Sequence, residues 1–252
     1  TANNDALAIT AGNGGNTITL GSGTQSVTAG TGADTVNLGS GNNNVNTGGG
    51  SDTVNGTVAV GDVVDLDAGS DSFAYQTLAG DVRGGTGTDT ITIATGLGPV
   101  SLNLNVGTGN GNYSGFENIS AAGANGAITA TAFTGGSTID TGSAADNVTA
   151  GAGTDLINTG AGNDTINITS TTYSNDTLNG GADTTGDTLA ITGGGTVDLS
   201  TGVTVSNIEN VTIDNSAVSA NVFTAHDAAL TITVSGGNVG ANITLGDTLA
   251  QT

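Results

Sequence analysis

The chain has 252 residues, with 22 Asp and Glu against a single basic residue, Arg83, and a formal net charge of −21. Gly (45), Thr (45) and Asn (28) supply nearly half of it, and Cys, Met and Trp are absent. Nucleic acid does not fit as a partner, because no basic patch exists to neutralise phosphates. Anionic membrane surfaces would repel the chain, and disulfides, thiol catalysis and cysteine metal sites are excluded. The apolar stretches fall far short of the roughly 18 residues of a spanning helix, and no segment reads as a signal peptide.

Few aromatics and one-signed charge are compatible with disorder. Short alternating runs of Thr, Val and Ile between Gly and Asn suggest strands and tight turns instead. Periodicity decides for strands. From Ala11 the chain falls into lines of nine: AGNGGNTIT, LGSGTQSVT, AGTGADTVN, LGSGNNNVN and TGGGSDTVN. The fourth residue of each is Gly, and the eighth is Ile18, Val27, Val36, Val45 and Val54. The sixth is Asn16, Gln25, Asp34, Asn43 and Asp52. After a slip of one residue the frame resumes at Leu66 as LDAGSDSFA, with Asp71 sixth and Phe73 eighth, and then as GGTGTDTIT at Gly84–Thr92 with Asp89 sixth.

A second run follows over Thr141–Asn167: TGSAADNVT, AGAGTDLIN and TGAGNDTIN, with a looser copy from Gly180 that contains Asp187. Each line reads as a Gly-rich turn followed by a three-residue strand with one side chain inward. The next inward place, two residues on, is often apolar as well: Leu20, Leu38, Ile93, Ile168. No such strand buries its face alone, so the lines must stack. Two lines per coil put residue i under residue i+18.

The nonapeptide G-G-x-G-x-D-x-U-x, met in Gly84–Thr92 and nearly met in six other lines, resembles the RTX calcium-binding repeat. The resemblance implies an all-β fold of calcium-stabilised parallel β-roll or β-helix modules in tandem. It also implies several bound Ca²⁺ ions, each lying between turns one coil apart and sharing the Asp of each. Hard oxygen ligands, six to eight of them, are what Ca²⁺ takes. On the i+18 rule Asp34 sits over Asp52, Asp71 over Asp89, and Asp146 over Asp164, whereas Asp155 has no partner at that spacing. These residues, with Asp187 and the turn glycines Gly32, Gly50, Gly87, Gly153 and Gly162, are the expected metal ligands. The opposite edge of the first run carries Gln25 and Asn43, where amide ladders are expected in place of Ca²⁺. The competing reading of the Asp residues is that they only shape turns. Stacked like charges about 5 Å apart favour the cation, and a chain folded by calcium is the expectation.

A longer repeat overlies the short one. A Gly-rich run, D-T-[IL], then [FI]-E-N-[IV], then F-T occurs twice, and its glutamates, Glu117 and Glu209, are the only two in the chain. The expected modules are residues 1–123, ending in the FENI segment, and 124–216, ending in IENV. Residues 217–252 read as the start of a third run or a terminal assembly segment. Glu117 and Glu209 read either as an acid/base pair or extra metal ligands, or as carboxylates that bond backbone amides. Their duplication favours the last.

His226 stands alone, with no triad or zinc partner at usable spacing, and reads as structural or surface. The N-x-[ST] sequons arise from the nonapeptide itself, and the aromatics are too few and scattered for a stacking platform. No G-x-S-x-G, H-E-x-x-H or P-loop occurs, so no enzyme is expected. Thr17, Thr35, Thr53 and Thr90, with Thr19, Asn37, Asn55 and Thr92 two residues on, form outward rows. They read as ordinary exposed strand residues or as a water-ordering face such as some ice-binding adhesins carry.

The functional expectation is a calcium-dependent extracellular structural protein of surface-layer type, exported by type I secretion and self-assembling at a bacterial cell surface. Its expected partners are copies of itself or neighbouring modules, with cell-surface glycan a further candidate. The alternatives are a repeat segment of a large adhesin that binds a host, a sugar or ice, and the accessory roll of a secreted enzyme.

Overall fold

Lines ending in TIT or TVN form strands because β-branched residues favour the pleated backbone, and Gly-rich hexads between them supply the turns. In the computed structural model every element is a short parallel strand, and no helix occurs among the described residues. The structure describes residues 5–77, 80–97, 99–105, 113–182, 186–193, 196–199, 202–214, 222–225, 231–235 and 242–245. The chain forms two units, Thr1–Ile93 with Leu104–Asn118, and Ala94–Asn103 with Ile119–Thr252. Each is a parallel β-solenoid.

In the first unit a six-stranded sheet runs through Leu7–Thr10, Gln25–Thr28, Asn44–Asn46, Val63–Asp65, Asp81–Arg83 and Tyr113–Ser114. Facing turns carry the strands Thr17–Thr19, Thr35–Asn37 and Thr53–Asn55, and then the pair Ser72–Ala74 and Thr90–Thr92. Ile18 pairs with Val36 and Val36 with Val54, as the 18-residue coil requires. The slip in the frame is absorbed at a turn, because Val45 pairs with Val64, a coil of 19. The next coil returns to 18, with Val64 beside Val82. Extra residues go into turns because a one-residue slip inside a strand would turn its apolar side chain outward. The eighth-place side chains Val36, Val45, Val64, Val82 and Ile91 are fully buried.

Aromatic residues scattered in sequence gather at one place in this unit. Tyr113 lies edge-on to Phe73 and Phe116 and stacks on Tyr75, with ring centroids 5.7–5.9 Å apart. Its hydroxyl donates to the Gln76 carbonyl and accepts from the Gln76 N–H, both at 2.9 Å. Burial pushes the Tyr113 hydroxyl pKa up. The cluster is core rather than platform, since Phe73 and Phe116 are buried.

In the second unit a seven-stranded sheet runs through Val100–Asn103, Ile128–Thr131, Asn147–Thr149, Thr165–Ile168, Thr188–Ile191, Asn210–Asp214 and Thr231–Ser235. A second sheet contains Thr138–Asp140, Leu156–Asn158, Thr177–Asn179 and Thr204–Ser206. A third joins Thr196–Asp198, Val222–Ala225 and Asn242–Leu245. The first coil of this sheet spans 28 residues, from Val100 to Ile128, and coils of 18 follow: Val148 pairs with Ile166 and Ile139 with Ile157. They then lengthen, to 21 between Ile157 and Leu178 and to 23 between Ile166 and Leu189. The inward side chains stay in register throughout.

Candidate metal centre

The sixth place of each line lies where the turn re-enters the strand, and from Gln25 onward in the first unit its side chain is buried at Gln25, Asp34, Asn43, Asp52, Asp71 and Asp89. Asp34, Asp52, Asp71 and Asp89 are each 2 % exposed or less. Asp is almost never buried to that degree without partners. Along the Asp edge of the first unit each sixth-place N–H donates to the carboxylate one coil on. Asn16 donates to Asp34 Oδ1 at 2.6 Å, Asp34 to Asp52 Oδ1 at 2.8 Å, and Asp52 to Asp71 Oδ1 at 2.7 Å. Asp71 donates to Asp89 Oδ1 at 2.8 Å, and Asp89 to Glu117 Oε2 at 2.9 Å. The pairs Asp34–Asp52 and Asp71–Asp89 therefore join into one ladder, because Asp52 also stacks on Asp71 across the 19-residue coil.

The second unit repeats the device on two edges. Ile128 N–H donates to Asp146 Oδ1 at 2.7 Å, Asp146 to Asp164 Oδ1, Asp164 to Asp187 Oδ1 and Asp187 to Glu209 Oε2, the last three at 2.8 Å. On the other edge Ser137 donates to Asp155 Oδ1 at 2.7 Å and Asp155 to Asp176 Oδ1 at 2.8 Å. The expectation that Asp155 lacks a partner one coil on is thus corrected. Its coil has 21 residues, so the partner is Asp176 rather than the residue at i+18. The fragment Asp176-Thr177-Leu178 carries the D-T-[IL] signature, which marks it in the sequence. Asp62 is a further site residue outside the expected set: it accepts the Asn43 N–H at 2.6 Å and ends the expected Gln25–Asn43 amide ladder.

Both glutamates end ladders. The N–H of Glu117 turns back to the Asp89 carbonyl at 3.1 Å, and that of Glu209 to the Asp187 carbonyl at 3.2 Å. Neither continues to a further carboxylate. Each carboxylate accepts a backbone amide, as the amide-bonding reading expects. The turn glycines Gly32, Gly50, Gly87, Gly153 and Gly162 all adopt φ between 117° and 147°. At Gly50 and Gly87 a Cβ would collide with the carbonyl oxygens of Gly32 and Gly69, one coil away, so the turn backbones are stacked too closely for a side chain. His226 lies outside the described residues.

The second carboxylate oxygens carry the chemical argument. Oδ2 of Asp34, Asp52, Asp71, Asp89 and Asp176 is buried with no hydrogen-bond donor. A buried unpaired polar atom costs about 1–3 kcal/mol, and more when charged. Burial accordingly raises the pKa of Asp71 to about 6, with Asp89, Asp52 and Asp67 adding repulsion against the opposing Asp52 N–H. Burial likewise raises Asp176 to about 6, and pushes up Asp89, Glu117 and Asp155. The one ion pair among the described residues, Arg83 with Asp65 at 3.9 Å, is outside the ladder and partly exposed; such pairs contribute about 0–1 kcal/mol.

An all-oxygen donor set with no thiol or imidazole suits a hard divalent cation. Among the described residues no three Asp, Glu, His or Cys side chains converge as a metal-binding group. The carboxylates come one per coil, so turn carbonyls would supply the remaining oxygens. The residues fit Ca²⁺, which when bound supplies positive charge to the orphaned oxygens.

The fold and the site together define a parallel β-solenoid whose turns carry buried carboxylate ladders. The family model of the RTX calcium-binding nonapeptide repeat (4 copies) matches residues 19–54 and 131–166, one stretch in each unit. Repeat and fold agree: both matched stretches carry RTX nonapeptide repeats, which bind calcium, and both lie in a parallel β-solenoid. Repeats of this kind are structural, and typical of secreted, extracellular proteins. No curated protein matches the chain at a significant level. Among the described residues no helix is long and apolar enough to cross a membrane.

Proposed function

We propose that this chain is a calcium-dependent structural segment of a bacterial cell-surface protein of surface-layer type, exported by type I secretion and folding on contact with external calcium. Asp34, Asp52, Asp71 and Asp89 share the ions of the first unit with the turn carbonyls. The observation that carries the reading is the row of buried, unpaired carboxylate oxygens in a chain without a lysine to neutralise them. At low calcium such a chain stays soluble and extended through self-repulsion. At the millimolar calcium typical of extracellular modules it folds. The partners are further copies of itself or neighbouring modules of a longer chain. Purified protein given Ca²⁺ and viewed by electron microscopy is expected to form sheets or filaments; monodisperse rods count against self-assembly.

A second reading, an adhesin repeat, is favoured by one face. On the seven-stranded sheet Thr129, Asn147, Thr165, Thr188, Asn210 and Thr231 stand in register as an uncharged outward row. Such a row suits a neutral, hydroxylated surface such as glycan. Calcium-dependent retention on a glycan array would support it.

A further inference from the structure

Not every aspartate in the sixth place of a line has a vacant oxygen. Asp146 Oδ2 accepts the Gly142 N–H at 3.2 Å, and Asp155 Oδ2 accepts the Gly151 N–H at 2.8 Å. In both lines the donor lies four residues before the Asp. With the N–H from the neighbouring coil on Oδ1, these carboxylates have both oxygens hydrogen-bonded. In the first unit the residues four before Asp34, Asp52, Asp71 and Asp89 are Gly30, Gly48, Asp67 and Gly85. All four adopt left-handed φ, at 100°, 88°, 69° and 107°. Their N–H groups do not reach the carboxylate, and each Oδ2 is buried without a donor. Gly142 and Gly151 lie outside that backbone region.

We infer that, in the lines of Asp34, Asp52, Asp71, Asp89, Asp146 and Asp155, the backbone conformation four residues before the aspartate sorts them into calcium-binding and calcium-independent ones; Asp176, whose line STTYSNDTL has no turn glycine, falls outside this rule. The left-handed turns of Asp34, Asp52, Asp71 and Asp89 require a cation, and Asp146 and Asp155 are held by their own turn amides instead. The physical basis is exchange of one ligand for another. A turn N–H and a divalent cation compete for the same carboxylate oxygen, and a carboxylate accepting two or three backbone N–H bonds is already stabilised as the anion. The Asp155 line cannot be told from the Asp34 line by motif, since AGAGTD and AGTGAD share Ala, both Gly and the Asp, whereas the Asp146 line, TGSAAD, departs from it with Ala144 in the fourth place. The inference rests on calcium occupying the first unit's ladder, and its test separates the two claims.

Calcium binding to the full chain is measured by native mass spectrometry and by calorimetric titration with CaCl₂. The variants are Asp52→Asn, Asp71→Asn, Asp146→Asn and Asp155→Asn. The first two are expected to lose at least one bound ion or to weaken binding about tenfold, equivalent to about 1.4 kcal/mol. The last two should retain the wild-type number of ions and affinity. Equal calcium loss in Asp146→Asn or Asp155→Asn overturns the sorting but leaves the calcium reading standing. A wild-type chain that binds no calcium overturns both. Hydrogen exchange of the wild-type protein in EGTA guards against folding defects in the variants. Amides of Gly142 and Gly151 should stay protected longer than those of Asp34, Asp52 and Asp71, and equal loss of protection overturns the inference.

Discussion

The main-chain N–H of Asp71 donates to Oδ1 of Asp89 at 2.8 Å, while Oδ2 of Asp89 is buried without a donor. One oxygen of the pair therefore builds the solenoid, and the other is left for a cation. This division of labour repeats at each rung from Asp34 to Asp89, and it makes the fold of the first unit depend on what occupies the second oxygens.

Removal of calcium is the most direct consequence. With EGTA the far-ultraviolet circular dichroism of the full chain should lose much of its β signal, and excess Ca²⁺ should restore it. The melting temperature should rise with calcium concentration, as any ligand that binds only the folded state requires. A β spectrum unchanged in chelator would contradict the ladder's need for a cation.

Acidification should replace part of the missing charge. Burial raises Asp71 and Asp176 from 3.8 to about 6, so the folded, calcium-free chain binds more protons than the unfolded chain between those values. Stability falls with rising pH wherever the folded state holds the extra protons. These groups' contribution is thus fully present below about pH 4 and lost as pH rises through about 6. In EGTA, lowering the pH from 7 to 5 should restore part of the β signal in circular dichroism. A β signal that falls further over that range would contradict the burial of these carboxylates.

The ladder ends depend on side-chain length. Glu117 Oε2 meets the Asp89 N–H, and shortening the side chain in Glu117→Asp withdraws the acceptor. The expected cost is about 1–3 kcal/mol in urea unfolding of the calcium-loaded protein. Glu117→Gln keeps an acceptor oxygen and should cost less than half as much.

Turn stacking can be tested at Gly50. Its φ of 147° and the Gly32 carbonyl oxygen above it leave no room for a methyl group. Gly50→Ala should lower calcium-loaded stability by about 1–3 kcal/mol, read as a drop in melting temperature.

The core makes an ordinary packing prediction. Ile157 is fully buried, and Ile157→Ala should cost about 2–5 kcal/mol. Val60, 72 % exposed, should tolerate Val60→Ala within about 0.5 kcal/mol. Equal effects at the two sites would contradict the inward assignment of the eighth place.

The nine-residue frame makes the strands, the inward Val and Ile column and the carboxylate row legible, because each line repeats one local solution of turn and strand. The pairing of Phe73 with Ile91 follows from the residue count alone, since 18 residues separate them and nothing interrupts the frame. The pairing of Asp155 with Asp176 does not, because that coil is longer by three residues, and loop length is not written in a pattern read at fixed spacing. The aromatic cluster around Tyr113 is hidden for the same reason. Its members come from lines that a long insertion separates.

The sequence by itself determined the parallel solenoid, its 18-residue coil and the family of its repeats. All three follow from local periodicity: alternation selects the buried side chain, and glycine permits the stacked turn. Only the tertiary structure decided which carboxylates stack beyond the regular coils, that Glu117 and Glu209 close the ladders, and that Asp146 and Asp155 are satisfied by their own turns. Those outcomes depend on where an N–H points relative to an oxygen a coil away or four residues on. The lines of Asp34 and Asp155 share their glycines and aspartate, yet Gly30 is left-handed and Gly151 is not.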